Sequence, residues 1–326
     1  MNSLNRRRFL GAAIGTGAAA AAAATWTPGA AAQQGGAGAR RSVPNNRIGI
    51  QLYSLRRLMP NGDRRAVRSM FNWLGRAGYT EVEMAGHYDF TPAQVRGWID
   101  AAGLRAVSGH DGVDIDPANT TWQDGYKQTL ENALTLGQKF TGLAWFPGPY
   151  DDADFWKFLA ERFSEAGALA RAAGLQFFYH NHDFEFTNKQ ADGTPMYDIL
   201  LEESDPELVK FELDLYWIVK GGENPLAYLS RDPARYPLYH VKDKTWKERP
   251  DVLKPDGSIK EIVQEWEDVG PGAIDFPDIF AAGHARRADK HFIIEHDWPQ
   301  LSHPDDPEAE YKTAQTGLDY LRTVRW

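Results

Sequence analysis

The sequence predicts an α/β protein in which eight parallel strands alternate with helices and close into a (β/α)8 barrel, the TIM barrel architecture. From about residue 47 onward, short apolar runs alternate with segments whose apolar residues recur at spacings of three and four. Glycine follows several of these helical segments at the point where a new strand is expected. A doubly wound sheet is disfavoured, because no Gly-x-Gly-x-x-Gly pattern follows the first strand.

Eight apolar runs are the candidate strands of the barrel. They are residues 48–53, 81–85, 105–109, 141–146, 175–180, 209–215, 238–241 and 292–295. The predicted helices between them include residues 63–77, 92–102, 122–136 and 153–173. Gly78, Gly103 and Gly174 come directly after three of these helices, as helix-terminating residues. Parallel strands need such helical crossovers, so eight successive units favour a closed barrel.

The connection after the seventh strand, residues 243–272, is unusually long and contains several proline and tryptophan residues. A connection of this length in a compact domain is usually functional or disordered. In a barrel it lies at the rim formed by the carboxyl ends of the strands, where active sites are found. We therefore expect a loop that covers the substrate.

The first 32 residues have the features of an export signal. Arg6 and Arg7 begin a twin-arginine pattern, an apolar and alanine-rich stretch follows, and residues 30–32 offer a signal-peptidase site. The apolar stretch is too short to span a bilayer comfortably, so we expect no stable membrane insertion once the signal is removed. Residues 33–46 are predicted to be a disordered linker, and the fold to begin near Arg47. The sequence thus predicts a periplasmic or otherwise exported protein.

Composition excludes several classes of partner and cofactor. The 326 residues include 36 basic and 45 acidic side chains, for a formal net charge of −9, which disfavours nucleic acid as a partner. The chain has no cysteine, so thiol nucleophiles, iron–sulfur clusters and cysteine zinc sites are excluded. Any metal must be held by histidine, aspartate and glutamate.

Polar residues collect at the carboxyl ends of four successive predicted strands. The four strands offer His180, Asp214, His240 and Glu295. Together these side chains form a ligand set suited to Mn²⁺, Co²⁺, Mg²⁺, Fe²⁺ or Zn²⁺. A carboxylate in an apolar strand is costly unless it is paired or binds a cation, and a structural ion pair is the alternative for Asp214 and Glu295. The alternative for His240 is a hydrogen-bonded core histidine.

Strand alternation places further polar residues beside these candidates. Lys242 shares a face with His240, and His182 shares one with His180, because residues two apart on a strand point the same way. Of the two histidines on the fifth strand, one would suit a metal and the other proton transfer. Lys242 could bind substrate, act as a base, or only neutralise a carboxylate.

The chain from residue 47 to 326 resembles the xylose-isomerase-like TIM-barrel superfamily, the sugar phosphate isomerase/epimerase family. The resemblance rests mainly on residues 179–186, 213–217, 240–243 and 269–276. It implies a divalent metal bound by Glu, Asp, His and Glu from the fifth to eighth strands. Asp214, His240 and Glu295 match three of these positions. At the fifth strand the chain has His180-Asn181-His182, so the first ligand is either His180 in place of the glutamate or Glu185 from the following loop.

The resemblance implies an enzyme that moves a proton next to a sugar carbonyl through an enediolate intermediate, as an isomerase, epimerase, dehydratase or other lyase. His182, which matches a residue that faces the substrate in relatives, Lys242 and Glu83 are the candidate acid and base groups. Export favours an unphosphorylated sugar, keto-sugar or 3-keto-glycoside as the small-molecule partner. The alternatives are a non-catalytic exported sugar-binding protein and, against the acidic charge, an endonuclease-four-like repair enzyme. The sequence leaves the metal identity, the substrate and the oligomeric state open.

Overall fold

A computed structural model of the chain describes residues 41–248, 262–284 and 290–326. The predicted signal peptide and the first part of the predicted linker lie outside these residues. Among the helices described, none combines the length and apolarity needed to cross a bilayer.

Eight parallel strands form one sheet that curls into a nearly closed barrel, which confirms the predicted fold class. The barrel strands are β1 (Ile48–Gln51), β2 (Glu81–Met84), β3 (Arg105–Gly109), β4 (Phe140–Leu143), β5 (Gln176–His180), β6 (Val209–Asp214), β7 (Leu238–Val241) and β10 (His291–Ile294). Their order around the sheet is β3-β2-β1-β10-β7-β6-β5-β4. The final barrel strand of the sequence, β10, therefore pairs with the first, β1. At the seam between β3 and β4, His110 forms a parallel bridge with Gly142.

Helices alternate with the strands and surround the barrel. They are α1 (Arg64–Ala77), α2 (Pro92–Ala101), α3 (Trp122–Leu136), α4 (Ala153–Ala172), α5 (Phe184–Thr187), α6 (Met196–Glu203), α7 (Leu215–Lys220), α8 (Pro225–Arg231), α9 (Phe276–His284), α10 (Pro299–Ser302) and α11 (Ala309–Thr323). Local chemistry defines their ends. Asp63 accepts a hydrogen bond from the backbone N–H of Ala66 at the start of α1, and Gly78 adopts φ 102° at its end.

The end of the predicted linker is ordered against the carboxyl terminus. The N–H of Arg41 donates to the carbonyl of Trp326 over 2.9 Å, and Ser42 forms an antiparallel bridge with Arg325. Val43 is buried. Residues 41–43, which precede the start predicted near Arg47, are therefore held against the folded chain by backbone pairing and apolar burial.

The barrel interior has an apolar layer with a polar layer above it. Val107, Phe178, Leu238 and Ile293, each from a different strand, form a separate buried cluster. Since residues two apart on a strand point the same way, His180, His240 and Glu295 follow three of these apolar residues on the inward side. The alternation therefore brings polar side chains together at the carboxyl end of the barrel, where the fold places active sites.

Two strands within the long connection after β7 pair with each other in antiparallel fashion. They are β8 (Asp243–Glu248) and β9 (Ile262–Glu267). The carboxylate of Asp243 accepts hydrogen bonds from the backbone N–H groups of Gly270, Gly272 and Ile274 over 3.0–3.1 Å. A Cβ atom on Gly272 would lie 2.2 Å from the Asp243 carboxyl carbon, so only glycine fits there. The middle of the connection predicted to cover the substrate, residues 249–261, lies outside the described residues.

Candidate metal centre

Four side chains from neighbouring strands converge on one point in the barrel mouth. One potential ligand atom from each of His180, Asp214, His240 and Glu295 lies within 4.8 Å of the others, and all four residues are buried. We refer to these four residues as the metal-ligand cluster. The sequence predicted Asp214, His240 and Glu295 as ligands, with either His180 or Glu185 as the remaining one, and the fold brings His180 to the other three.

His240 has carboxylates on both sides of its ring. Its Nδ1 atom lies 3.0 Å from Glu295 Oε2 and 3.7 Å from Asp214 Oδ2. On the opposite side, Nε2 lies 2.6 Å from Glu83 Oε1. Burial alone would lower the pKa of His240, but Glu212, Glu295 and Glu83 raise it well above its ordinary value. With its Nε2 proton donated to Glu83, the ring would bind an ion in the metal-ligand cluster through Nδ1.

Asp214 provides the test of whether a cation fits the cluster. Its Oδ1 atom accepts a hydrogen bond from the N–H of Trp217 over 2.7 Å. Its Oδ2 atom is buried and has no hydrogen-bond partner in the part of the chain that the structure describes. Burial also raises the pKa of this carboxyl group, because desolvation disfavours its charged form. A divalent ion among these hard ligands would satisfy that oxygen, so the residues present fit such an ion.

Lys242 supplies the positive charge beside the cluster. Its Nζ atom lies 2.8 Å from Glu295 Oε2 and 2.9 Å from Asp297 Oδ2. Burial alone would lower the pKa of Lys242, but Asp297 and Glu295 raise it above its ordinary value. The side chain is therefore a cation held between two carboxylates.

The two histidines of the fifth strand end occupy different environments. His180 belongs to the metal-ligand cluster, and its pKa is lowered by burial and by His240, so its ring is neutral and able to act as a ligand. The His182 ring stacks on Phe184, with centroids 5.6 Å apart and planes at 10°. The Nδ1 atom of His182 has no hydrogen-bond partner among the described residues, and burial lowers the pKa of this ring to about 3.

Glu185, the other candidate for the first ligand, is not brought to the other three ligands. Its Oε1 atom accepts a hydrogen bond from the Tyr179 hydroxyl over 2.6 Å. Both of its carboxylate oxygens lie 2.9 Å from the backbone N–H of His182. Burial raises the pKa of Glu185 to about 8. Glu185 therefore supports the backbone of His182, and His180 takes the fifth-strand position in the cluster.

Glu83, predicted as an acid or base, is enclosed by polar side chains. Gln51 donates to its Oε1 atom over 2.7 Å, and Ser108 donates to its Oε2 atom over 2.5 Å. His110 and His240 lie 3.0 and 2.6 Å from Oε1. With these contacts, the Glu83 carboxylate orients the ring of His240.

The sequence analysis did not predict a second group of polar residues, which shares two histidines with the metal-ligand cluster. His110 and Glu212 combine with His180 and His240 in another set whose potential ligand atoms lie within 4.8 Å. Burial, followed by the charge of Glu83, raises the pKa of Glu212 to about 8. Burial alone would lower the pKa of His110, but Glu83 and Glu212 raise it to about 10. Glu212 was detectable from its position two residues before Asp214, on the same face of β6.

Comparisons with known proteins agree with this architecture. Residues 71–324 match the family model described as xylose isomerase-like TIM barrel. An inosose dehydratase from Clostridium beijerinckii is 32% identical over 133 residues, which cover 40% of this chain and 43% of that protein. The chain thus spans about half the length of the curated relatives that it matches.

Solved structures share the fold over most of the chain. A sugar phosphate isomerase/epimerase from Parabacteroides distasonis superposes with a TM-score of 0.66 at 24% identity, covering 85% of this chain and 98% of that one. D-Psicose 3-epimerase with D-tagatose from Clostridium cellulolyticum superposes with a TM-score of 0.64 at 16% identity, covering 85% and 99%. These likenesses support the barrel architecture and not a particular reaction.

Proposed function

Because the chain belongs to the xylose isomerase-like TIM barrel family, we propose that it is a divalent-metal-dependent enzyme that isomerises, epimerises or dehydrates a sugar or keto-sugar. The relative with 32% identity is a dehydratase, which supports a lyase reaction within this group. The observation that carries the proposal is the metal-ligand cluster itself, in which the buried Oδ2 atom of Asp214 has no hydrogen-bond partner among the described residues.

A divalent ion held by the four ligands would polarise a sugar carbonyl and stabilise negative charge on its oxygen when a neighbouring C–H bond ionises. The chain's own residues supply the remaining functions. Lys242 is kept protonated by Glu295 and Asp297 and can donate a hydrogen bond to a substrate oxygen. The Nδ1 atom of His182 is buried without a hydrogen-bond partner among the described residues, and it is our candidate to accept the proton that leaves carbon.

We favour an unphosphorylated keto-sugar or 3-keto-glycoside as the substrate. The support for this choice is the export that the sequence predicts, because phosphorylated sugars are scarce outside the cytoplasm.

Export by the twin-arginine route is part of the proposal. Its support is the Arg6-Arg7 pattern and the alanine-rich stretch that follows. Replacing both arginines with lysine should leave the protein in the cytoplasm, as measured by fractionation and immunoblotting. Export that persists in this variant would contradict the twin-arginine route.

The decisive experiment combines metal analysis with an activity screen. The purified protein should contain one divalent ion per chain by mass spectrometry, and should turn over at least one member of a panel of keto-sugars and 3-keto-glycosides. Chelation should abolish turnover, and Asp214→Asn should remove both metal and activity. Asp183→Asn, which removes a carboxylate paired only with Lys220 within the described residues, is the matched control. Stoichiometric metal in Asp214→Asn would contradict the site, and metal without turnover would favour a sugar-binding protein.

A further inference from the structure

Two exposed aromatic side chains stand next to each other on the rim of the barrel. In the described parts of the chain, the exposed large hydrophobic side chains are Tyr53 (44%), Leu134 (45%), Trp145 (56%), Trp298 (49%) and Leu301 (38%). Tyr53 follows β1 and Trp298 follows β10, both at the carboxyl end of the barrel. The two strands pair in parallel, with Ile50 opposite Ile294, so the segments that follow them leave the barrel as neighbours.

Arg56 joins the two rings into one surface. Its guanidinium carbon lies 4.0 Å from the centre of the Tyr53 ring and 5.0 Å from that of the Trp298 ring. The same guanidinium donates to the carbonyl oxygen of Tyr53 over 2.9 Å and to that of Asp297 over 2.6 Å. We refer to Tyr53, Arg56 and Trp298 as the aromatic platform. Because the arginine bonds to the backbone on both sides, the platform is held in place before any ligand binds.

The platform connects to the metal-ligand cluster at both ends. Asp297 precedes Trp298, and its Oδ2 atom lies 2.9 Å from Nζ of Lys242, which in turn contacts Glu295. On the other side, the N–H of Tyr53 donates to the side chain of Gln51 over 3.0 Å. Gln51 in turn donates to Glu83, which contacts His240 of the cluster. Lys242 and Asp297 thus stand between Glu295 and the platform. A sugar that reacts at the cluster would therefore contact the platform through a substituent that the sugar carries.

We propose that the aromatic platform binds the second ring of a glycoside substrate, next to the sugar that reacts at the metal-ligand cluster. The inference rests on the proposed function and narrows its substrate class from keto-sugars and 3-keto-glycosides to glycosides alone. The physical basis is that a ring with a flat apolar face gains contact area and C–H or stacking interactions on an exposed aromatic side chain. A single small sugar at the cluster would leave both rings exposed to water.

Binding of two unreactive probes tests the platform without relying on turnover. The probes are p-nitrophenyl β-D-glucoside and methyl β-D-glucoside, titrated calorimetrically into the full chain loaded with Mn²⁺. The unaltered protein should bind the p-nitrophenyl probe more tightly. Trp298→Ala and Tyr53→Ala should each weaken that binding by about 3- to 10-fold, the value of one aromatic contact, with little effect on the methyl probe.

Two further variants control for folding and for general loss of hydrophobic surface. Trp298→Phe should keep most of the preference, because it retains an aromatic face. Leu134→Ala removes a similarly exposed side chain on α3 and should change neither affinity. Equal affinity for the two probes, or binding of neither, would overturn the platform. Equal losses of affinity for both probes in Trp298→Ala would also overturn the platform.

Failure of the platform is distinguishable from failure of the proposed reaction. A protein that turns over no keto-glycoside but prefers the p-nitrophenyl probe, and loses this preference in Trp298→Ala, would contradict the reaction and support the platform. A protein that turns over keto-sugars and shows no such preference would support the reaction and overturn the platform.

Discussion

Glu83 Oε1 and His240 Nε2 lie 2.6 Å apart, although 157 residues separate these two side chains in the sequence. The carboxylate of Glu83 accepts a proton that Nε2 carries. Nδ1 faces Asp214 and Glu295 and would supply the lone pair for an ion held between them. Carboxylates placed in this way orient metal-binding histidines and raise their basicity.

Glu83→Gln should weaken metal affinity by about 10- to 100-fold without eliminating binding, because the amide still fills the space but no longer fixes the charge beside His240. Titration against a competing chelator measures this change. Glu81→Gln is the matched control, since Glu81 is equally buried on β2 but pairs with His291. Metal affinity that is unaltered in Glu83→Gln would show that the contact has no influence on the site.

His180→Asn and Glu185→Gln should separate the two candidates for the first ligand. His180 lies in the metal-ligand cluster, so its replacement should remove most of the bound metal. Glu185 bonds to Tyr179 and to the backbone of His182, so its replacement should leave the metal content near one ion per chain. Mass spectrometry of the purified variants gives the answer, and the reverse pattern would assign the ligand to Glu185.

His182→Asn should keep the metal and lose turnover. If the ring accepts a proton from the substrate, kcat should fall by roughly 10²- to 10⁴-fold, the usual contribution of a proton-transfer residue. The variant should also keep its thermal unfolding temperature within a few degrees, because Phe184 and Trp217 still pack around the site. Near-normal turnover of the substrate would assign His182 a structural role and the proton transfer to another residue.

Lys242→Met should destabilise the metal-free protein more than the metal-loaded protein. Without the lysine, Glu295 and Asp297 lose the cation that lies within 2.9 Å of both. Breaking such a buried pair typically costs about 3 to 5 kcal/mol in free energy of unfolding. A bound divalent ion replaces part of the lost charge. Urea unfolding with chelator and with added metal should show the difference, and equal losses in the two conditions would contradict it.

Glu185 should make the stability of the protein depend on pH. Its pKa is raised from 4.5 to about 8 by burial, so between these values the folded protein holds a proton that the unfolded chain has released. The free energy of unfolding should therefore fall as pH rises through this range. Glu185→Gln lacks this group and should gain stability relative to the unaltered protein between pH 5 and 8. A stability difference between Glu185→Gln and the unaltered protein that stays constant from pH 5 to 8 would contradict the raised pKa of Glu185.

The order of elements was predictable because it depends on local patterns. The predicted strands at residues 105–109 and 238–241 match β3 and β7, and the predicted helix at residues 122–136 matches α3. Apolar alternation, helical spacing and terminal glycines act within a few residues and do not depend on the rest of the chain. Where prediction and structure differ, as at residues 41–43, contacts with the distant carboxyl terminus decide the outcome.

The sequence by itself determined that His180, Asp214, His240 and Glu295 stand at the carboxyl ends of successive strands, because alternation and strand order together fix the face on which each side chain lies. It left His180 and Glu185 as alternative ligands, and it gave no indication that Glu83 meets His240 or that Tyr53 and Trp298 share one surface. Only the tertiary structure decided these points. The height of each side chain in the barrel depends on strand register, and the meeting of β1 with β10 depends on the closing of the sheet.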